Sequence, residues 1–433
     1  MEIEQHRIVV IGSGFAGTWS ALAARRLIAS HSRDKTTAAN IEVVIVSPEA
    51  QLVIRPRLYQ ADPASMAVPL DGLFSTNAIR HIQATVKTIR ASKHELELID
   101  STGNETTLSY HRLVLAAGSR LARPKLDGSN EHVFNVDQIE DSVKLEEHLK
   151  KLPSLPDTQA RGTVVVCGAG FTGLEVATEL PSRLRSSLGK DSQVRVILVG
   201  REKEVGATLG PGPRPVIAKA LADLGVETRL GTTVTSVDAG GASLDNGERI
   251  EALTTIWTAG VRASPLAEQL PGETDSFGRL YVDEHLRLPS MRDVFVTGDS
   301  ACAVADNAGN HALMSCQHAL TLGRVSGHNA AADLLDLPTK PYSQPMYLTC
   351  LDLGPQGAVL TCGWDRKVVL SGWLAKMAKV FINEWLIYPP KAESRMALPQ
   401  ANPANFVSAP AVLGQRVVRT ILWMLAYVRS LFI

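Results

Sequence analysis

Apolar runs with little or no polar interruption recur along this chain, each closed by glycine or a small polar residue. Ile8-Val9-Val10-Ile11, Val43-Val44-Ile45-Val46, Leu113-Val114-Leu115, Val164-Val165-Val166, Val196-Ile197-Leu198-Val199 and Val294-Phe295-Val296 have this form. A run without alternation predicts a strand covered on both faces, as in a parallel sheet flanked by helices. The same order of parts comes twice. A first strand runs into a glycine turn and a helical stretch, then a second strand (Ile41–Val46; Val194–Val199). A short β-rich insert with a turn follows (Glu95–Asn104; Ala242–Gly247). Each half closes on a strand entering small residues, Leu113–Gly118 and Thr255–Gly260. Order this similar marks an internal duplication.

The turns carry the chemistry. Gly12-Ser13-Gly14-Phe15-Ala16-Gly17 follows the first strand, and Gly168-Ala169-Gly170-Phe171-Thr172-Gly173 follows Val164–Val166. Strand, glycine turn and helix N-terminus together form a site for a dinucleotide pyrophosphate. The first glycine makes the turn, the second lets the phosphates approach the backbone, and the third packs helix on strand. Two such fingerprints imply two dinucleotides in one protein. The expected fold is α/β: two Rossmann-like domains with β-rich inserts, the second domain inserted in the first, followed by a C-terminal α/β region ending in an amphipathic helix. The expected boundaries are residues 1–127 for the first part of one dinucleotide domain and 128–161 for a charged connector. Residues 162–263 form the second domain, 264–337 return to the first, and 338–433 form the C-terminal region.

Asp293-Val294-Phe295-Val296-Thr297-Gly298-Asp299 is a strand ending in Gly-Asp. It resembles the second flavin motif of the two-dinucleotide flavoprotein disulfide-reductase superfamily. That resemblance implies FAD at the first fingerprint, with Asp299 on the ribityl chain, and a nicotinamide nucleotide at the second. The five cysteines are scattered without the spacing of a redox disulfide, so a disulfide-reductase activity is not expected. Neither histidines nor cysteines show metal spacing, and no metal is expected. Lys and Arg balance Asp and Glu at 44 each, so the chain has no nucleic-acid footprint. The acidic start, Met1-Glu2-Ile3-Glu4, fits no targeting segment. A cytoplasmic protein, free or peripheral on a membrane, is expected.

Over nearly its full length the chain resembles the type II NADH dehydrogenases, single-subunit NAD(P)H:quinone oxidoreductases. The likeness lies in Arg55-Pro56-Arg57-Leu58-Tyr59, Gly173-Leu174-Glu175, Trp257-Thr258-Ala259-Gly260-Val261-Arg262 and Cys316-Gln317-His318-Ala319. It implies hydride transfer from NADH or NADPH to FAD, then reduction of a quinone-like acceptor. Glu175 would orient the nicotinamide or handle a proton; a plain helix N-terminal acid is the other reading. Gln317 and His318 would line the acceptor pocket, although Leu322 stands where a second glutamine belongs. Gly260 would let the nicotinamide approach, with Gly118 in the corresponding place of the flavin half. Arg55 matches a flavin-contacting position. Ser47, with Glu49 after it, replaces the usual acid at the adenosine ribose. At the second fingerprint the ribose-binding acid is replaced by Gly200, and Arg201 follows, which favours NADPH. Glu202 on the ribose is the alternative.

From Gln415 to Ile433, at about 100° per residue, Val417, Val418, Ile421, Leu425, Val428 and Phe432 share one face. Arg416, Arg419, Thr420, Tyr427 and Ser430 lie opposite. The uncharged run is too short to span a bilayer. Such a helix lies on a membrane surface, or packs on the protein's own core or across a homodimer. Two other functions fit the same residues: a soluble flavin reductase acting on a small molecule, and a flavin-bound redox sensor.

Overall fold

The computed structural model describes residues 5–31, 40–122 and 132–405. The boundary expected at 127/128 and the amphipathic tail lie outside these residues. The first sheet has the strand order Arg287–Leu288, Met291–Val296, Arg112–Leu115, His6–Ile11, Ile41–Ser47, Ile79–Gln83. All neighbours are parallel except the Arg287–Leu288 edge. The second sheet is parallel throughout: Val133–Phe134, Thr254–Trp257, Thr163–Cys167, Arg195–Gly200, Glu227–Leu230. In each sheet the fingerprint strand is central, and the chain returns to the first sheet through Arg287–Leu288 and Met291–Val296. The second unit is therefore inserted in the first.

Burial explains the unbroken apolar runs. Ile8 and Val10 face a core shared with the helices, whereas Val9 and Ile11 face one shared with the β-insert. Val164 and Val166 divide from Val165 and Cys167 in the same way. The inserts are three-stranded antiparallel sheets, Thr85–Arg90 with Glu95–Ile99 and Glu105–Ser109, and Val234–Asp238 with Gly241–Leu244 and Arg249–Glu251.

Helix α1 (Phe15–His31) follows the first fingerprint, α2 (Phe171–Leu188) the second, and α3 (Cys316–Leu334) lies against α1. Two glycines on α3 make that approach close. A Cβ at Gly323 would lie 2.4 Å from the Ala16 carbonyl oxygen, and one at Gly327 would lie 1.9 Å from that of Ser20. The α3 N-terminus is thereby held against the first fingerprint helix.

The expected connector does more than connect. Val133–Phe134 adds an edge strand to the second sheet, and Val136, Leu145, Leu149 and Leu152 join its core. The passages between the two sheets pair with each other: Ser119–Leu121 runs antiparallel to Val261–Ala263, and each follows a left-handed glycine, Gly118 or Gly260. In the C-terminal region Leu348–Asp352, Ala358–Cys362 and Lys367–Gly372 form an antiparallel sheet. Helix α4 (Trp373–Phe381) packs on it and runs on into the wider turn Ile382–Leu386.

Candidate active site

The two fingerprints have the same geometry. Gly12 and Gly168 have positive φ, 100° and 121°. A Cβ at Gly17 would meet the Gly12 carbonyl oxygen at 1.8 Å, and one at Gly173 would meet that of Gly168 at 1.7 Å. The third glycine thus closes on its own turn as well as on the neighbouring strand end. At Gly14 and Gly170 an added Cβ would meet no protein atom within 4 Å. Each turn therefore presents an open backbone face at a helix N-terminus, the shape a pyrophosphate needs. Phe15 and Ala16 begin α1 and are buried.

Beside the first turn stands a charged cluster. Asp299 Oδ2 accepts from the Ser119 hydroxyl at 2.5 Å, and an Arg55 nitrogen lies 3.7 Å from the same oxygen. Arg55 also donates to Ser119 Oγ at 3.2 Å and pairs with the Asp137 carboxylate. Asp137 further accepts from the Leu121 amide at 2.9 Å and the Gln138 amide group at 2.7 Å. Gly298 must be glycine: its φ is +61°, and a Cβ would meet that of Ala16 at 2.7 Å. Asp299 is thereby set beside the fingerprint helix.

A second cluster joins α2 to the C-terminal region. Glu175 is buried, and its Oε1 accepts from Lys379 Nζ at 2.8 Å and from the Asp352 amide at 3.0 Å. Lys379 also donates to the Cys350 carbonyl at 2.9 Å. Buried Asp352 accepts from Lys376 Nζ at 2.5 and 2.7 Å and from the Tyr59 hydroxyl at 2.8 Å. Burial pushes the Glu175 carboxyl up to about 7, with the Lys379 ammonium offsetting part of that rise. Burial pulls the Lys379 ammonium down, but Glu175, Cys350 and Asp352 together hold it above its usual range. Burial raises Tyr59 well above the phenol range, and the acids Glu175 and Asp352 add to it. Glu175 lies beyond the first turn of α2, so the helix N-terminal reading does not describe it.

A match to the pyridine nucleotide-disulphide oxidoreductase family covers residues 6–323. The chain belongs to that family. It is 44% identical over 395 residues to an NADH dehydrogenase-like protein of Mycobacterium tuberculosis, covering 90% of this chain and 96% of that one. A demethylphylloquinone reductase of Synechocystis is 27% identical over 381 residues, 86% of this chain and 90% of the relative. Among solved structures, NDH2 of Plasmodium falciparum in complex with NADH superposes with a TM-score of 0.72 at 13% identity, covering 92% and 97% of the two chains. The protein is thus an NAD(P)H oxidoreductase with FAD and a nicotinamide nucleotide as its cofactors, and the resemblance to type II NADH dehydrogenases holds.

Other expected site residues of this oxidoreductase take different places. Ser47 is buried and turned inward, donating to the Glu49 carbonyl at 2.7 Å and 3.0 Å from His81 Nε2, whereas Glu49 is exposed. Of the two residues at this strand end, Ser47 has its hydroxyl engaged within the protein, and Glu49 has its side chain in solvent. Gln317 accepts from the Leu348 amide at 3.3 Å, which ties α3 to the C-terminal sheet. His318 is fully buried, bonded to Ser315 Oγ at 3.0 Å and packed on Tyr347 and Trp364. Burial pushes its imidazole down to about 3, so it stays neutral. It lies in an aromatic cluster in which Tyr347 and Trp364 also stack on each other. Gly118 and Gly260 bracket the paired passages, and the Gly260 carbonyl accepts from Ala122 at 2.7 Å. Arg201 is 83% exposed at its side chain and lies 3.5 Å from Glu202.

Asp137, Lys376, Lys379 and Asp352 were not expected from sequence. Tyr59 closes the Arg55–Tyr59 segment, but its partner Asp352 gives no local sign. A helix bearing two lysines three apart on its inner face, Lys376 and Lys379, was the only signal.

Proposed function

We propose that the enzyme takes a hydride from NAD(P)H and delivers the electrons to a quinone-class acceptor at a lipid surface. The first fingerprint, with Glu49, Arg55, Ser119 and Asp299, holds FAD, and the second holds the nicotinamide nucleotide. FAD held at the first fingerprint would supply hydride acceptance and the return of electrons singly or in pairs. The protein supplies position and charge. Asp137 fixes Arg55, so that one cation stands at a set place beside Asp299. Glu175 holds or releases a proton at Oε1 near neutral pH, with Lys379 as its fixed counter-charge. Reduction of a quinone consumes protons, and this pair can supply one.

One observation supports the lipid surface above others. Helix α4 turns Lys376 and Lys379 inward to the acids of the site, while its other face and the following turn expose Trp373 (66%), Val380, Trp385 (73%) and Leu386. Exposed large apolar residues this concentrated mark an interaction face, and tryptophan suits a membrane interface. No helix among the described residues is long and apolar enough to cross a membrane.

The test compares a long-chain quinone in liposomes with water-soluble ferricyanide. Burying a large apolar side chain contributes about 1.5–3 kcal/mol. Trp373→Ser with Trp385→Ser should therefore weaken liposome binding and quinone reduction about tenfold or more, and leave ferricyanide reduction intact. Truncation after Pro410 should also weaken flotation and keep FAD. An enzyme that never floats with liposomes and ignores quinones would refute the reading in favour of a soluble reductase. Asp299→Ala should lower FAD retention on dialysis, measured as lost yellow colour, with unchanged far-UV circular dichroism.

A further inference from the structure

We infer that the second fingerprint unit selects a nicotinamide nucleotide carrying a 2′-phosphate, and that Arg201 is the residue that reads it. The inference rests on the proposed assignment of the nicotinamide nucleotide to that fingerprint. In this fold the adenosine ribose is read at the end of the second strand, where an acid binds both hydroxyls and repels a phosphate. Here that strand is Arg195–Gly200. Its Val199 is paired with Cys167, and the Gly168 amide donates to the Val199 carbonyl at 2.8 Å, so Gly200 stands level with the fingerprint turn.

The acid is missing from this place for a steric reason. A Cβ on Gly200 would lie 2.6 Å from that of Ala169, inside the fingerprint, and 3.3 Å from Leu230 Cδ2. The turn itself occupies the room an aspartate or glutamate would need. A Gly200→Glu substitution would disturb the turn before it could change nucleotide preference, so it is no clean test.

The next residue is held in place. The Thr232 amide donates to the Gly200 carbonyl at 3.2 Å, and the Gly231 amide to the Glu202 carbonyl at 3.0 Å. These two clamps flank Arg201 and fix its backbone at the strand end while its side chain stays in solvent. Its ion-pair partner among the described residues is the adjacent Glu202, at 3.5 Å with both side chains exposed. An exposed pair of this kind contributes little, so Arg201 can exchange it for a dianionic phosphate, which its planar donors bind two oxygens at a time. Lys203 runs along the same corner, with its Cγ 3.9 Å from a Cβ placed on Gly231. Glu204 is engaged by Arg214. Glu202 is therefore the acid that competes for the ribose.

The holoenzyme can be titrated calorimetrically with adenosine 2′,5′-bisphosphate and with adenosine 5′-monophosphate. The bisphosphate should bind about tenfold tighter or more, as expected for charge-assisted hydrogen bonds, and the gap should narrow at high salt. Arg201→Ala should bring the bisphosphate to the level of the monophosphate without changing the latter, and Arg201→Lys should keep part of the gap. Glu202→Gln should leave the preference in place. Bisphosphate binding no tighter than monophosphate, or a silent Arg201→Ala, overturns the inference. If NADH is still oxidised with ferricyanide in that case, the proposed hydride transfer stands and only the 2′-phosphate preference falls. If neither probe binds and neither nucleotide is oxidised, both fall together.

Discussion

Gly14→Val should yield a folded, soluble and colourless protein. The expectation follows from what surrounds the added side chain. A Cβ at Gly14 meets no protein atom within 4 Å, and Gly14 lies outside the left-handed region. The fold therefore has no reason to reject the substitution. The bulk projects instead onto the open backbone face where a pyrophosphate must come close. Loss of FAD should be complete, while circular dichroism and the melting transition resemble those of wild-type protein stripped of flavin. Gly17→Ala makes the contrast. Its Cβ would lie 1.8 Å from the Gly12 carbonyl oxygen, and backbone cannot give way that far, so this smaller substitution should prevent folding. Gly170→Val should repeat the first result at the other fingerprint, leaving a yellow protein that no longer oxidises NAD(P)H. A Gly14→Val protein that keeps FAD would show that the first turn does not hold the pyrophosphate.

The contrast between these glycines shows what was legible in the sequence. A fingerprint is local: Gly12, Gly14 and Gly17 meet each other, or the space beside them, within one turn, so their roles follow from spacing. Strand positions were legible for a similar reason, since an unbroken apolar run leaves no polar face to expose. Gly323 and Gly327 depend on Ala16 and Ser20, some three hundred positions away along the chain, and nothing on α3 announces that contact. Asp137 lies in a charged stretch that resembles a solvated connector, and only the fold brings it to Arg55. His318 is placed at the acceptor pocket by resemblance alone, and its burial, with α3 covered on every side from His318 to Ala332, depends on elements distant in sequence. Ser47 gives no local sign of the His81 ring beside its hydroxyl, which the neighbouring strand Ile79–Gln83 brings there. Lys379 sits among apolar residues on a helix with an exposed face, and its inward aim depends on the sheet beneath it.

That inward lysine sets the second large effect. Lys379→Met should destabilise the protein, and the loss should grow with pH. Removing one partner of a buried ion pair strands the other charge, which costs about 3–5 kcal/mol. The stranded group is Glu175, whose carboxyl already rises to about 7 from an ordinary 4.5 because of burial, against the pull of Lys379. A carboxylate raised on folding binds its proton more tightly in the folded state than in the unfolded one. Its contribution is therefore fully present below pH 4.5 and is lost as pH rises through the folded value. In wild type that loss falls between about pH 4.5 and 7. Without Lys379 the folded value climbs further, so the loss extends to higher pH. Urea denaturation should show a small difference between Lys379→Met and wild type near the lower limit of that window, and a difference of several kcal/mol well above neutrality. Adding Glu175→Gln to Lys379→Met removes the remaining charge and should flatten the pH dependence, recovering most of the stability at high pH. Glu175→Gln alone strands the ammonium instead, so its destabilisation should not grow with pH in the same window. A Lys379→Met deficit that stays constant from acid to alkaline pH would mean that the lysine acts through its packing on Phe171 and the Cys350 carbonyl rather than through Glu175.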